Sequence, residues 1–131
     1  MTGKKKLVLI VEDDMLISEA LCEGLTGAGF EVKTAGNGQE GLEMSLKHHP
    51  DLIILDLMMP VKNGHEMLDE LRADKWGAKV PVTVLTNATD NIDIFKATLH
   101  GNTNYAIKSS MKMEDIIGMI KSRISKAPVS R

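Results

Sequence analysis

The chain has 131 residues, 43% of them hydrophobic and 26% charged, with a formal net charge of -2 at pH 7. This length suits one globular domain rather than two, and the nearly balanced charge excludes a general basic surface for nucleic acid. The apolar run after the N-terminal lysines is too short for a secretory signal, and the single cysteine, Cys22, has no second cysteine to pair with. We therefore expect a cytoplasmic protein without membrane contact, in which Cys22 is a small helix residue.

Short apolar segments alternate along the chain with segments of helical periodicity. Strands are predicted at residues 6–11, 30–35, 51–56, 80–86 and 103–108. Apolar residues at helical spacing follow the first, second, third and fifth strands: Leu16, Ala20, Leu21 and Leu25; Leu42 and Leu46; Met67, Leu68 and Leu71; and Met113, Ile116, Ile117, Ile120 and Ile124. Strands that alternate with helices predict an α/β fold whose parallel sheet is covered on both faces.

Polar residues follow or end four of the predicted strands, and the carboxyl edge of a parallel sheet is where such folds bind ligands. They are Glu12, Asp13 and Asp14 after the first strand, Asp56 on the third, Thr86 on the fourth and Lys108 on the fifth. Carboxylates from two strands that meet in one crevice repel each other unless a cation lies between them. Oxygen ligands without cysteine or histidine favour Mg²⁺ as that cation.

A Mg²⁺ held by few carboxylates usually completes its coordination with water and phosphate, so the acids also predict phosphoryl chemistry. Asp56 is placed to act as a nucleophile that forms an aspartyl phosphate. Thr86 and Lys108 are candidates to bind the phosphoryl oxygens through a hydroxyl and an ammonium group. Asp14, next to the predicted start of a helix, is interpreted as its N-cap.

The segments "VEDD", "LDLMMPVKNG", "LT" and "YAIK" occur in this order, and in them the sequence resembles the response-regulator receiver domain of two-component signalling. The resemblance covers nearly the whole chain and is nearest to the stand-alone, chemotaxis-regulator-like type. It implies a flavodoxin-like, doubly wound (βα)5 fold with strand order 2-1-3-4-5. It also implies a single receiver domain over residues 1–126, followed by a C-terminal tail at 127–131.

The same resemblance assigns roles to individual residues. Asp56 would be the phosphoacceptor, with Thr86 and Lys108 holding the phosphoryl group. The implied Mg²⁺ ligands are Glu12, acting through water, Asp13, Asp56 and the backbone carbonyl of Met58. Thr86 and Tyr105 would form the conformational switch, although the sequence without the resemblance slightly favours Tyr105 as a half-buried core residue.

As implied by the resemblance, the protein is a signalling switch and not an enzyme with a separate substrate, although such domains catalyse their own phosphoryl transfer and dephosphorylation. Its partners would be a sensor histidine kinase or phosphotransfer protein and a downstream protein bound through the fourth helix, fifth strand and fifth helix. The chain ends about where a receiver ends, so we expect no direct nucleic-acid binding and a monomer or phosphorylation-dependent dimer. A DNA-binding output domain remains an alternative if the chain is a fragment.

Three departures from the usual receiver pattern affect particular expectations. Ser109 follows Lys108 where most receivers have proline, and Asn87 is larger than the usual residue after Thr86. Both departures keep open the alternative of a pseudo-receiver that is regulated without phosphate. The positions that tune water attack hold apolar Met58 and Ala88, which predicts a long-lived phosphorylated form.

A Mg²⁺-dependent phosphatase or phosphotransferase for small molecules is the alternative from another class. Such an aspartyl-phosphate enzyme would use a second acid two residues after Asp56, where Met58 stands. Gly36, Gly38 and Gly41 match a dinucleotide-binding spacing, but they follow the second predicted strand and are interpreted as turn glycines. The histidines lack metal-ligand spacing and are assigned no chemistry.

Overall fold

The computed structural model describes residues 5–57, 59, 61–86, 102–108 and 112–126. Its strands are β1 (Leu7–Val11), β2 (Glu31–Ala35), β3 (Leu52–Asp56), β4 (Val82–Thr86) and β5 (Thr103–Ile107). Its helices in the described residues are α1 (Met15–Gly27), α2 (Gly38–His48), α3 (Gly64–Arg72) and α4 (Met113–Lys126). The further helix implied between β4 and β5 falls on residues 87–101, outside the described part of the chain, as does the predicted tail at 127–131.

The five strands form one parallel sheet in the order β2-β1-β3-β4-β5. This confirms the predicted doubly wound α/β fold and its strand order. The observed strand bounds differ from the predicted ones by at most two residues, the largest difference being at the start of β4. Because β1 and β3 are central neighbours, the residues that follow them are brought together at the carboxyl edge.

Two apolar clusters cover the two faces of the sheet, because alternate residues of a strand point to opposite faces. One face packs against α2 and α3, with Leu9, Val11, Ile53 and Leu55 facing Leu42, Met67, Leu68 and Leu71. The other face packs against α1 and α4, with Val8, Ile10, Leu52 and Ile54 facing Leu21, Leu25, Ile116 and Ile120. Each fully buried aliphatic side chain contributes about 1.5 to 3 kcal/mol relative to an exposed one.

Two of the apolar residues at helical spacing are exposed. Leu16 is 79% exposed, because it lies five residues before the buried Leu21 and is therefore rotated by about 140° from it around α1. Leu46 is 39% exposed, since the buried stripe of α2 runs through Leu42 and Ser45 and leaves Leu46 at its border. Helical spacing by itself therefore does not show that Leu16 and Leu46 belong to the core.

The glycine-rich segment after β2 is mostly helical. Gly36 lies in a bend, as predicted, but Gly38 and Gly41 belong to α2 and are buried. A Cβ atom on Gly41 would lie 2.7 Å from Cγ1 of Val11, so the glycine lets α2 approach β1 closely. The interpretation as turn glycines was therefore wrong for Gly38 and Gly41.

In the described ranges, no helix combines the length and the apolar character needed to cross a membrane.

Candidate functional site

Three acids meet at the carboxyl edge of the sheet, where β1 and β3 end side by side. One carboxylate oxygen from each of Glu12, Asp13 and Asp56 lies within 4.8 Å of the others. Glu12 and Asp56 are buried, with 3% and 6% of their surface exposed, whereas Asp13 is exposed. The backbone N–H of Glu12 donates to the carbonyl oxygen of Ala35, which holds the first acid against β2. The predicted juxtaposition of acids from two strands is therefore present.

Lys108 follows β5 and reaches both buried acids. Its Nζ lies 2.9 Å from Oε1 of Glu12 and 3.4 Å from Oδ1 of Asp56. Burial by itself lowers the pKa of Lys108, but the hydrogen bond to Glu12 and the charges of Asp56 and Glu12 outweigh burial. The pKa of Lys108 is therefore raised above its ordinary value of 10.5, and the ammonium group is charged at neutral pH.

Asp14 caps the start of α1 and forms a hydrogen bond with Glu12. Its Oδ1 accepts hydrogen bonds from the backbone N–H groups of Leu16 and Ile17 at 3.0 and 3.3 Å. The backbone N–H of Asp14 donates to Oε2 of Glu12 at 3.1 Å. These contacts confirm Asp14 as the N-cap, and they fix one oxygen of Glu12 while the other contacts Lys108.

The donor set of this crevice fits Mg²⁺. Three carboxylates from two strands face one ammonium group, and the oxygen donors are the hard ligands that Mg²⁺ prefers. Because Asp13 is exposed, the crevice opens to water, which suits an ion that retains part of its hydration shell. The residues that would hold the ion are Glu12, Asp13 and Asp56.

The other predicted site residues are placed only in part. Thr86 ends β4 and pairs in register with Ile107, so its backbone lies at the same edge as Asp56, while its side chain is outside the described structure. Met58, which was predicted to offer its carbonyl oxygen, also lies outside the described residues. Tyr105 lies in β5 opposite Val84 and is 44% exposed, so it is not a core residue.

Sequence reasoning missed the direct pairing of Lys108 with Glu12. The sequence predicted that both residues lie at one edge, but the strand ends alone do not show which acid a long lysine side chain contacts. It also treated the glycines that flank this edge as turn and helix-start residues without a role in the site. Their close contacts with backbone atoms near Asp56 appear only once the segments are packed.

The 2-1-3-4-5 parallel sheet places the protein in the class of flavodoxin-like α/β domains, and its acidic crevice lies at the carboxyl edge where such domains bind ligands. A family model for the response regulator receiver domain matches residues 8–121, and the chain belongs to this family. It is thus the receiver domain of a two-component response regulator.

Known relatives agree with this assignment. The DNA-binding response regulator MtrA of Mycolicibacterium smegmatis is 32% identical over 124 residues, which are 95% of this chain and 53% of that protein. The chain therefore spans about half the length of the curated relatives it matches.

Two solved structures show the same fold. Chemotaxis response regulator CheY4 of Vibrio cholerae has a TM-score of 0.82 at 29% identity, covering 92% of this chain and 99% of that one. The phosphorylated cyanobacterial phytochrome response regulator RcpA has a TM-score of 0.77 at 30% identity, covering 95% of this chain and 98% of that one.

Proposed function

We propose that the protein is a phosphorylation-dependent switch that accepts a phosphoryl group on Asp56 in the presence of Mg²⁺. The phosphodonor would be a sensor histidine kinase or a phosphotransfer protein, and the phosphorylated form would signal to a protein partner. The observation that carries this proposal is the convergence of Glu12, Asp13, Asp56 and Lys108 in one crevice of a receiver fold. Solved structures of this fold include a phosphorylated response regulator.

Asp56 has the position that nucleophilic attack requires. It ends β3, a strand in which every residue is buried, so its backbone is held by neighbours on both sides. A carboxylate oxygen of Asp56 forms a bond to phosphorus while the bond from phosphorus to the donor breaks and its electron pair leaves with the donor. The leaving atom is a histidine nitrogen in a protein donor or an oxygen in a small acyl phosphate.

The neighbouring residues neutralise and orient the transferred group. Lys108 contacts Asp56 directly and would supply a charge-assisted hydrogen bond to a phosphoryl oxygen. Thr86 would bind a second phosphoryl oxygen through its hydroxyl group. Glu12, Asp13, Asp56 and the carbonyl oxygen of Met58 would hold Mg²⁺, which when bound offsets negative charge on the phosphoryl oxygens.

The proposed output surface, which would contact the downstream protein, lies around Tyr105. This half-exposed residue lies on β5, at the sheet edge opposite β2, in the strand that leads to Lys108. A change at the phosphoryl group would reach this surface through Thr86 and Tyr105 and shift an existing equilibrium between two conformations. The receiver domain is proposed to extend over residues 1–126, which adds residues 1–7 and 122–126 to the matched family range and ends with α4.

Intact-mass spectrometry tests the phosphoacceptor proposal. The protein is incubated with Mg²⁺ and acetyl phosphate alongside Asp56→Asn and a matched control, Asp51→Asn, which changes an exposed aspartate at the opposite end of β3. One added phosphoryl group in the wild type and in Asp51→Asn, absent in Asp56→Asn, is the expected result. Unmodified wild type would favour a pseudo-receiver, and continuous release of phosphate from small substrates would favour an enzyme.

A further inference from the structure

The segment of residues 61–64, which leads into α3, lies against the end of the phosphoacceptor strand β3. The backbone N–H of Gly64 donates to the carbonyl oxygen of Leu57 at 2.9 Å. A Cβ atom on Gly64 would lie 2.5 Å from the carbonyl oxygen of Asp56 and 2.7 Å from Cα of Leu57. The first residue of α3 is therefore in contact with the backbone of Asp56, at a distance that admits only glycine.

A second contact ties the same segment to α2. The backbone N–H of Gly38 donates to the carbonyl oxygen of Lys62 at 2.9 Å, and a Cβ atom on Gly38 would lie 2.2 Å from that oxygen. Gly38 is the first residue of α2, and Asn37 caps this helix by accepting a hydrogen bond from the backbone N–H of Glu40. The start of α2 thus has direct backbone contact with the segment that follows Asp56.

The residues next to these two contacts have a constrained backbone. Val61 has a φ of 68°, which is unfavourable for a β-branched residue, and its side chain is 81% exposed. Burial of the Val61 side chain therefore does not compensate for its backbone conformation. Asn63 and Glu66 form a capping box that fixes the next residues at the start of α3.

We propose that Gly38 and Gly64 are positioning residues for phosphoryl transfer, which hold residues 62–64 and through them the backbone of Asp56. This inference rests on the proposed role of Asp56 as phosphoacceptor. Neither glycine belongs to the acidic cluster, and neither has a side chain that could bind a phosphoryl group. A displacement of the start of α2 would move Lys62, and Asn63 and Gly64 would transmit that movement to Leu57 and Asp56.

The test compares phosphorylation rates of folded variants with saturating Mg²⁺ and acetyl phosphate. Gly38→Ala places a methyl group against the carbonyl oxygen of Lys62, and Asn37→Ala frays the first turn of α2 without adding an atom. Gly118→Ala is the matched glycine control, because a Cβ atom there meets nothing within 4 Å. Asp74→Ala is the control for lost stability, because it removes the hydrogen bond from the backbone N–H of Gly77 after α3.

We expect the phosphorylation rate to fall about tenfold in Gly38→Ala and about threefold in Asn37→Ala, because small displacements of a reacting group are costly. Both controls should keep the wild-type rate, although the melting temperature of Asp74→Ala should fall. A slow rate in Gly38→Ala or Asn37→Ala would then result from displacement of Asp56 and not from lost stability. Circular dichroism at the assay temperature establishes that each variant is folded.

Wild-type rates in Asn37→Ala and in folded Gly38→Ala would overturn the positioning role. If Gly38→Ala does not fold, the rate of Asn37→Ala decides alone. Absence of phosphorylation in the wild type would instead refute the proposed function itself, so the two failures are distinguishable.

Discussion

At the residue scale, Lys108 links acids that belong to two different strands. Its Nζ contacts Glu12 after β1 and Asp56 on β3, although Lys108 itself follows the edge strand β5. Two buried carboxylates so close together would otherwise repel each other and lose their hydration. The lysine therefore stabilises the folded protein before it meets any phosphoryl group.

The contribution of Lys108 to the stability of the fold should be lost at alkaline pH. Its folded-state pKa is raised above 10.5, so the folded protein holds this proton more tightly than the unfolded chain does. The contribution is complete below pH 10.5 and is lost as the pH rises through the folded-state pKa. At neutral pH, Lys108→Met should lower the free energy of unfolding by about 1 to 3 kcal/mol.

Urea unfolding at neutral and alkaline pH measures this effect. The difference in free energy of unfolding between the wild type and Lys108→Met should shrink above pH 10.5. The control Lys121→Met, at an exposed position of α4, should have the free energy of unfolding of the wild type at every pH. A difference that is constant over this pH range would contradict the assigned role of the Lys108 charge.

The lifetime of the phosphorylated form is a second prediction at this scale. By the family resemblance, Met58 and Ala88 stand at the two positions that tune water attack on the phosphoryl group, and because both side chains are apolar we expect slow loss of that group. Met58→Asn should shorten the lifetime several-fold, and Met58→Leu should preserve it. A timed dephosphorylation assay by intact mass measures both, and fast decay of the wild type would refute the prediction.

The residue types of the site could be predicted from the sequence because strand ends meet at one edge of a parallel sheet. Glu12, Asp13, Asp56 and Lys108 all lie where that rule places them. The individual contacts could not be predicted, since the reach of Lys108 across two neighbouring strands depends on sheet twist and side-chain conformation. The close approach of Gly38 to Lys62 likewise depends on how α2 packs.

At the element scale, α4 is anchored to the amino edge of the sheet by an arginine. Nη1 of Arg123 donates to the carbonyl oxygen of Val82 and the hydroxyl oxygen of Thr83, at 2.7 and 3.0 Å. Nη2 of Arg123 and Nη2 of Arg72 both donate to the carbonyl oxygen of Asn102, each at 3.0 Å. Burial and the charge of Arg123 lower the pKa of Arg72 to about 10.

Removal of the Arg123 guanidinium should loosen α4. Arg123→Met should lower the free energy of unfolding by about 1 to 3 kcal/mol, because buried carbonyl and hydroxyl oxygens lose their donors. Arg123→Lys should restore little of this loss, since an ammonium group cannot reproduce the planar fork of donors. Chemical denaturation measures both variants, and wild-type stability of Arg123→Met would contradict the anchoring role.

The order and type of the described elements were predictable from hydrophobic periodicity. Helical spacing includes Leu16, yet Leu16 is exposed because it is rotated by about 140° around α1 from the buried Leu21. The prediction was wrong at Gly38 and Gly41 because glycines that allow close packing have the same sequence pattern as glycines of turns.

At the scale of the whole molecule, the two edges of the sheet carry different kinds of contact. The acidic crevice lies at the carboxyl edge, and Tyr105 lies in the strand that leads to it. At the amino edge, the rings of His49 and Trp76 stack with their centroids 4.3 Å apart. The chain contains one tyrosine and one tryptophan, so Tyr105 in the middle of β5 and Trp76 at the amino edge can be observed separately by spectroscopy.

Phosphorylation should change the environment of Tyr105 and leave that of Trp76 nearly unchanged. With fluorinated tyrosine and tryptophan, each residue gives one ¹⁹F resonance, and Mg²⁺ with acetyl phosphate should shift the Tyr105 signal. Asp56→Asn should abolish the shift. An unchanged Tyr105 resonance in fully phosphorylated protein would argue against a switch that includes Tyr105.

The identity of the phosphorylated residue is the most direct test of the central claim. Borohydride reduces an aspartyl phosphate to homoserine, so peptide mass spectrometry after reduction locates the acyl phosphate in the chain. We predict homoserine at position 56 in protein treated with Mg²⁺ and acetyl phosphate. Homoserine at position 13, or phosphorylated protein without any homoserine, would contradict the assignment of Asp56 as the phosphoacceptor.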